Sequence, residues 1–219
     1  TQCLNNLRQI GVGNHVYALD NEDRVVLARN IPGSSNPPKF VQIAINPPAY
    51  EGAKAVGLTL QTNNVWSCPN RPGFPTFESD IPQYNIGYQY FGGITDWLND
   101  FYKGPSRSPV KTSNARPGWV LAADCIMKVN GTWGGLDRDI AYSNIPQHIG
   151  TKSKTPVGGN QLFIDGSVQW IRAEKMYFLH SWTDGGSRAG YFYQDASDFP
   201  DTLIAVLPKL QFIPVGRGL

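Results

Sequence analysis

Residues 195–201, Asp195-Ala196-Ser197-Asp198-Phe199-Pro200-Asp201, place three carboxylates close together. Calcium takes six to eight oxygen ligands, and the carboxylates and carbonyls of such a loop are donors of the kind it prefers. The spacing is not that of an EF-hand, and Asp198 or Asp201 has a second use, capping a short helix expected at 201–207. His15, His148 and His180 are the histidines. No Gly-x-Ser-x-Gly elbow accompanies them, and Cys125 lies in an apolar run where a thiolate is disfavoured. His148 as a metal ligand, with Asp165 beside it, is a further arrangement. Acidic residues next to aromatics, as in Asp96-Trp97 and Asp100-Phe101-Tyr102, read as solvated turn carboxylates rather than a glycosidase pair. The Gly-Gly pairs at 92–93, 134–135, 158–159 and 185–186 lack the Lys-Ser/Thr of a phosphate loop and read as turns. The expectation is therefore a protein that is not an enzyme and uses no cofactor, with calcium on Asp195, Asp198 and Asp201 the one ion left open.

Bulk composition narrows the partners. The chain has 219 residues, 16% of them charged, with 23 Gly and 17 Pro, so turns and ordered loops should be abundant. A net charge of +2 with scattered basic residues disfavours nucleic acid. Cys3, Cys68 and Cys125 lie far apart with no Cys-x-x-Cys pair, which disfavours a structural zinc site. One disulfide plus one buried thiol fits these three cysteines, and so do three buried thiols. No apolar run is long enough to span a bilayer. Helical periodicity is already running at the third residue, without an initiator Met, so the chain is expected to be cut from something longer.

These residues need elements to hold them. On a helix over residues 1–19, Cys3, Leu4, Leu7, Ile10, Gly11, Asn14, Tyr17 and Ala18 share one broad face. Val12, Val16 and Leu19 form a second apolar strip, so the later turns should be covered on two sides. Asp20-Asn21-Glu22-Asp23 should stop the helix. Arg24–Ala28 reads as a short strand, 49–61 as a helix within a Pro-rich excursion, Tyr84–Phe91 as a strand and Gly118–Met127 as a central strand buried on both sides. In 160–171 the Asp165-Gly166 pair predicts a two-residue type I′ hairpin turn. That register sets Phe163 opposite Val168 and Gln161 opposite Trp170, with Phe163, Val168 and Trp170 on one buried face. The six Trp, at 66, 97, 119, 133, 170 and 182, read first as core and second as a glycan platform. One domain over 1–219 is expected.

Three segments in order resemble bacterial prepilin-like proteins, type II secretion pseudopilin relatives of the planctomycete and verrucomicrobial kind. They are Cys3-Leu4-Asn5-Asn6-Leu7-Arg8-Gln9-Ile10-Gly11 with Tyr17 and Asp20-Asn21, then Trp66-Ser67-Cys68-Pro69-Asn70, then His148 followed by Gly158-Gly159-Asn160 and Phe163-Ile164-Asp165-Gly166. The resemblance implies an α+β fold in which a pilin-like N-terminal helix packs on an antiparallel sheet with long irregular loops. Residues 1–20 would be the latter half of the long helix, and 21–219 the sheet and loops. It implies an extracytoplasmic structural subunit, held by an absent apolar helix in the inner membrane or among other pilin-like subunits of a filament. It also raises the C-terminal calcium reading. Cys3–Cys68 is the preferred disulfide, tying the helix to the excursion and worth about 4 kcal/mol in the chain-entropy model. The alternative function is a carbohydrate-binding or adhesive module on the same scaffold.

Overall fold

Residues 2–19 contain no proline, and their apolar side chains recur every three or four positions. The computed structural model, which describes residues 2–34, 36–61, 64–134, 142–151, 155–183 and 187–213, forms α1 over Gln2–Leu19. Its buried stripe is Cys3, Leu7, Ile10, Gly11, Asn14 and Ala18, with Asn6 beside it. The helix stops where Asp23 N donates to Ala18 O at 3.0 Å, with Glu22 and Asp23 in the left-handed region. Among the described residues no helix is long and apolar enough to cross a membrane.

The chain continues through β1 (Arg29–Asn30), β2 (Phe40–Val41), β3 (Ala44–Ile45) and α2 (Pro47–Ala55). It then forms β4 (Thr76–Glu78), β5 (Gln83–Asn85), β6 (Gln89–Tyr90), β7 (Asp96–Leu98) and β8 (Lys103–Pro105). Next come β9 (Val120–Ala123), β10 (Met127–Val129), β11 (Thr132–Trp133), β12 (Gly158–Phe163) and β13 (Val168–Arg172). The last elements are β14 (Tyr177–His180), β15 (Arg188–Phe192), α3 (Asp201–Ile204) and α4 (Leu207–Leu210). The fold is mixed α+β, and among the described residues every strand pairing is antiparallel. Two four-stranded sheets dominate, in the orders β13-β12-β9-β6 and β11-β10-β15-β14.

Helix α1 lies on the first of these sheets, against β12, β13 and β9. Gly11 faces the strand: a Cβ there would stand 2.9 Å from Leu162 Cδ1, so a glycine, costly in a helix interior, is what lets helix and sheet approach. His15 Nε2 donates to Ile164 O at 2.7 Å, and Asn14 Oδ1 accepts from Val26 N (3.1 Å) and Tyr90 Oη (2.8 Å). Leu7, Ile10, Trp66, Tyr88, Tyr90, Phe91, Leu162 and Phe192 fill the main core.

Several sequence expectations need correction. The strip Val12, Val16 and Leu19 is not covered: these residues are 64%, 58% and 81% exposed. Arg24–Ala28 is not a strand: Val25, Val26 and Ala28 are buried while Arg24 and Leu27 are exposed, Arg24 makes an isolated bridge to Lys111, and Val25 and Ala28 bond singly to Val110 O and Gly92 O, across loops. The helix expected over 49–61 is α2, which stops at Ala55 in a turn closed by Leu58 N on Ala53 O. Tyr84–Phe91 divides into β5 and β6 where Gly87 N donates to Trp66 O and the 66–68 loop crosses. Gly118–Met127 divides at Asp124 into β9 and β10, members of different sheets. The short helix expected at 201–207 is two, α3 and α4.

The hairpin register is shifted by one. Phe163 N donates to Ser167 O and Gly166 N to Phe163 O, so the loop is three residues, Ile164, Asp165 and Gly166. Only Gly166 takes positive φ (84°), as in a type I turn closed by a glycine bulge. Leu162 therefore faces Val168 and Asn160 faces Trp170, which leaves Trp170 46% exposed instead of buried.

Candidate functional site

The break between β9 and β10 exists for a side chain. Asp124 stands in an otherwise apolar run, fully buried, and a carboxylate there is tolerable only if it is hydrogen-bonded. Its Oδ2 accepts from Asn160 N (2.7 Å), from Asn160 Nδ2 (2.8 Å) and from His148 Nε2 (2.8 Å). Asn160 comes from β12, directly beside β9. His148 comes from the 142–151 loop, where Gln147 accepts from Cys125 N through Oε1 and donates to Gly87 O through Nε2 at 3.4 Å. His148 itself sits at φ 54°, in the left-handed region that, after glycine, favours Asn, Asp and His.

The imidazole is fixed on its other sides. Asn70 Nδ2 approaches Nδ1 at 3.1 Å, and the ring meets Trp170 edge-on, with centroids 4.9 Å apart. A neutral ring that donates from Nε2 to Asp124 and accepts at Nδ1 from Asn70 satisfies the whole set. The shifted hairpin register is what puts Trp170 here, opposite Asn160. A cavity of about 490 Å³ lined by Asn70, Asn144, Gln147 and His148 opens beside the ring.

Against this cluster lies the joint between helix and loop. Cys3 of α1 and Cys68 form a disulfide, Cα to Cα 5.3 Å, while Cys125 is free and buried. Cys68 Sγ is 3.9 Å from Asp124 Oδ1, the carboxylate oxygen turned away from His148 and Asn160. Among the described residues, Cys3, Asp124 and His148 form the one group of three or more His, Cys, Asp or Glu whose ligand atoms all lie within 4.8 Å of one another. Comparison of the chain with protein-family models, curated proteins and solved structures gives no match.

An Asp–His pair can move a proton; among the described residues no hydroxyl or free thiol is hydrogen-bonded to His148. The other histidines are placed structurally. His180 is fully buried, donates to Phe40 O at 2.8 Å and accepts from Leu98 N; burial pulls its pKa down to about 4. Burial pushes the Cys125 thiol up to about 11, which keeps it protonated and unreactive. Burial, with Asp124 nearby, raises the Tyr88 phenol, whose hydroxyl donates to Ser67 O.

The acidic loop does not gather. Asp195 accepts from Ser197 N at 2.7 Å as the cap of a 3-10 turn, and this holds its carboxyl below the usual range. Asp198 turns inward to accept from Trp119 Nε1 at 2.8 Å, with Arg116 at 3.4 Å and Arg107 at 3.9 Å. Asp201 is exposed in the first turn of α3. With two guanidinium groups already on Asp198, the three carboxylates expected to hold calcium are not brought together. Asp165 is likewise used in its own turn, accepting from Ser167 N at 2.8 Å, and is not the partner of His148.

Two partly buried aromatic pairs are stacked, Tyr50 on Tyr84 at 3.7 Å and 10°, and Tyr142 with Trp182 at 6.1 Å and 9°. Arg188 covers Tyr142 at 4.4 Å, so the tyrosine offers no free ring face.

Asp124 is the residue the sequence reading missed; Asn70 and Asn160 stand in the motifs that carry the resemblance, without the role as partners of His148 and Asp124 that the structure gives them. Asp124 carried a readable signal, as the one charge inside Gly118–Met127.

Proposed function

We propose that this chain is an extracytoplasmic structural subunit of the pilin-like class, with α1 as its spine. The observation that carries this is the double character of α1. Its stripe of Leu7, Ile10, Gly11 and Ala18 is buried on the sheet, while Val12, Val16 and Leu19, spaced four and three apart on the outer face, are exposed. Three large apolar side chains in one exposed strip form a surface suited to another helix, and fully burying each stabilises by roughly 1.5–3 kcal/mol. The Cys3–Cys68 disulfide suits an oxidising compartment. The resemblance of the opening segment and of the Asp-Gly hairpin to prepilin-like proteins points the same way.

Val16→Glu in the full-length gene product tests this. The exposed site should tolerate the charge, leaving folding and thermal midpoint unchanged, while pelletable or crosslinkable assemblies are lost. Assembly equal to wild type with Glu at this position would refute the spine reading.

A further inference from the structure

We infer that Cys3, Cys68, Asp124 and His148 form a divalent transition-metal site of zinc type when the Cys3–Cys68 disulfide is reduced. The sequence spacing that argues against zinc does not apply to a site built from four separate segments. Tetrahedral zinc with sulfur ligands at about 2.3 Å and nitrogen or oxygen ligands at about 2.0–2.2 Å needs ligand atoms about 3.3–3.8 Å apart. Cys3 Sγ, an Asp124 oxygen and a His148 ring nitrogen lie within 4.8 Å of one another, and Cys68 Sγ is 3.9 Å from Asp124 Oδ1. Three of the four ligands are thus already gathered, and Cys68, which is outside the 4.8 Å group, joins them by rotation of its side chain once the disulfide is open.

Two features show a ligand set rather than a chance gathering. Asp124 Oδ1, on a fully buried residue, faces sulfur, and a disulfide sulfur has no proton to give; among the described residues no N–H or O–H reaches this oxygen. Outer partners that orient metal ligands are also present: Asn160 donates to Asp124, and Asn70, with its amide turned to set Oδ1 toward the ring, accepts from Nδ1–H when the ring proton moves there and frees Nε2 for the metal. The His148 side chain is 17% exposed at the cavity, which gives an ion an access route.

The chemistry balances. A dithiol reductant gives two electrons and two protons to the disulfide and becomes a disulfide itself, leaving Cys3 and Cys68 as thiols. Binding the metal then releases both thiol protons, because thiolates are the ligands. The oxidised and metal-bound states are alternative staples between the start of α1 and the sheet.

Cobalt is the probe. The full chain is unfolded, refolded under a phosphine reductant with Co²⁺, and its free thiols are counted by mass after alkylation. One Co²⁺ per chain is expected, with thiolate-to-cobalt charge-transfer absorption and intense tetrahedral visible bands. The oxidised protein should show neither. Asp124→Asn and His148→Asn should each abolish or strongly weaken the bands; asparagine suits the left-handed backbone at 148. His15→Asn should leave them intact. A reduced wild-type chain without these bands, whether folded or not, overturns the inference, as do bands unchanged in His148→Asn.

Discussion

Replacing Asp124 tests the core of the site with the disulfide intact. Oδ2 accepts from three donors, and two of them belong to Asn160, which is only 9% exposed. Asp124→Ala leaves the Asn160 backbone N–H and Nδ2 without an acceptor in a place water barely reaches. A buried unsatisfied donor costs about 1–3 kcal/mol, so the pair costs roughly 2–6 kcal/mol. His148, at the cavity edge, can turn to water and adds little. A loss of about 4 kcal/mol is a large part of a typical total of about 5–15 kcal/mol. Asp124→Asn keeps one acceptor oxygen and should cost less, about 1–3 kcal/mol. Urea unfolding followed by tryptophan fluorescence measures both, and the midpoint should fall with the slope unchanged. Should Asp124→Ala lie within about 1 kcal/mol of wild type at the same slope, the carboxylate is not the buried acceptor described, and the account of why β9 breaks there fails with it.

Two more outcomes follow from buried groups. His180 has a folded pKa of about 4 against 6.5, so the unfolded chain takes up the proton first as pH falls. Its contribution is intact above 6.5 and is lost as pH falls from there to about 4, by roughly 3 kcal/mol. His180→Gln should flatten that part of the urea-midpoint profile, and a profile with the wild-type slope would refute it. Replacing Cys3 and Cys68 together by Ser opens a loop spanning 65 residues and should cost about 4 kcal/mol, read in the same way. A change below about 1 kcal/mol would show that the crosslink does not constrain the unfolded chain.

The local parts of this structure were legible, and the non-local ones were not. The buried stripe of α1 follows from periodicity alone, and so does its stop at 20–23. Asp165-Gly166 marked a hairpin, but a two-residue and a three-residue loop both end on glycine, so the pair could not set the register. One residue of slip decides whether Trp170 enters the core or stands beside His148. Asp124 was readable as a charge within an apolar strand, which demands buried partners. Which partners these are depends on β12 lying next to β9 and on a loop residue 24 positions away in the chain. Local spacing contains neither fact. The same limit applies to Asp195, Asp198 and Asp201: proximity in sequence suggested a shared ion, while Arg107 and Arg116 from distant loops took Asp198.

The position of the cluster along α1 bears on the proposed spine. Cys3 is in the first turn and the exposed strip runs from Val12 to Leu19, so the staple lies about 14 to 24 Å along the helix from the exposed strip. Between them, α1 meets the sheet through its buried stripe of Leu7, Ile10 and Gly11, the last against Leu162, and through two hydrogen bonds, His15 to Ile164 O and Tyr90 Oη to Asn14 Oδ1. Apolar contacts of this kind give way one after another under a load that peels. A covalent bond at Cys3 blocks peeling from that end at any load the fold survives. Reduction without metal leaves the start of the helix held by packing and by Asn6 on Ser67 O. A metal on Cys3, Cys68, Asp124 and His148 restores a staple that tightens as ligand protons leave. On these two proposals, attachment of α1 to the sheet is set by redox state and metal together, at a point away from the exposed strip.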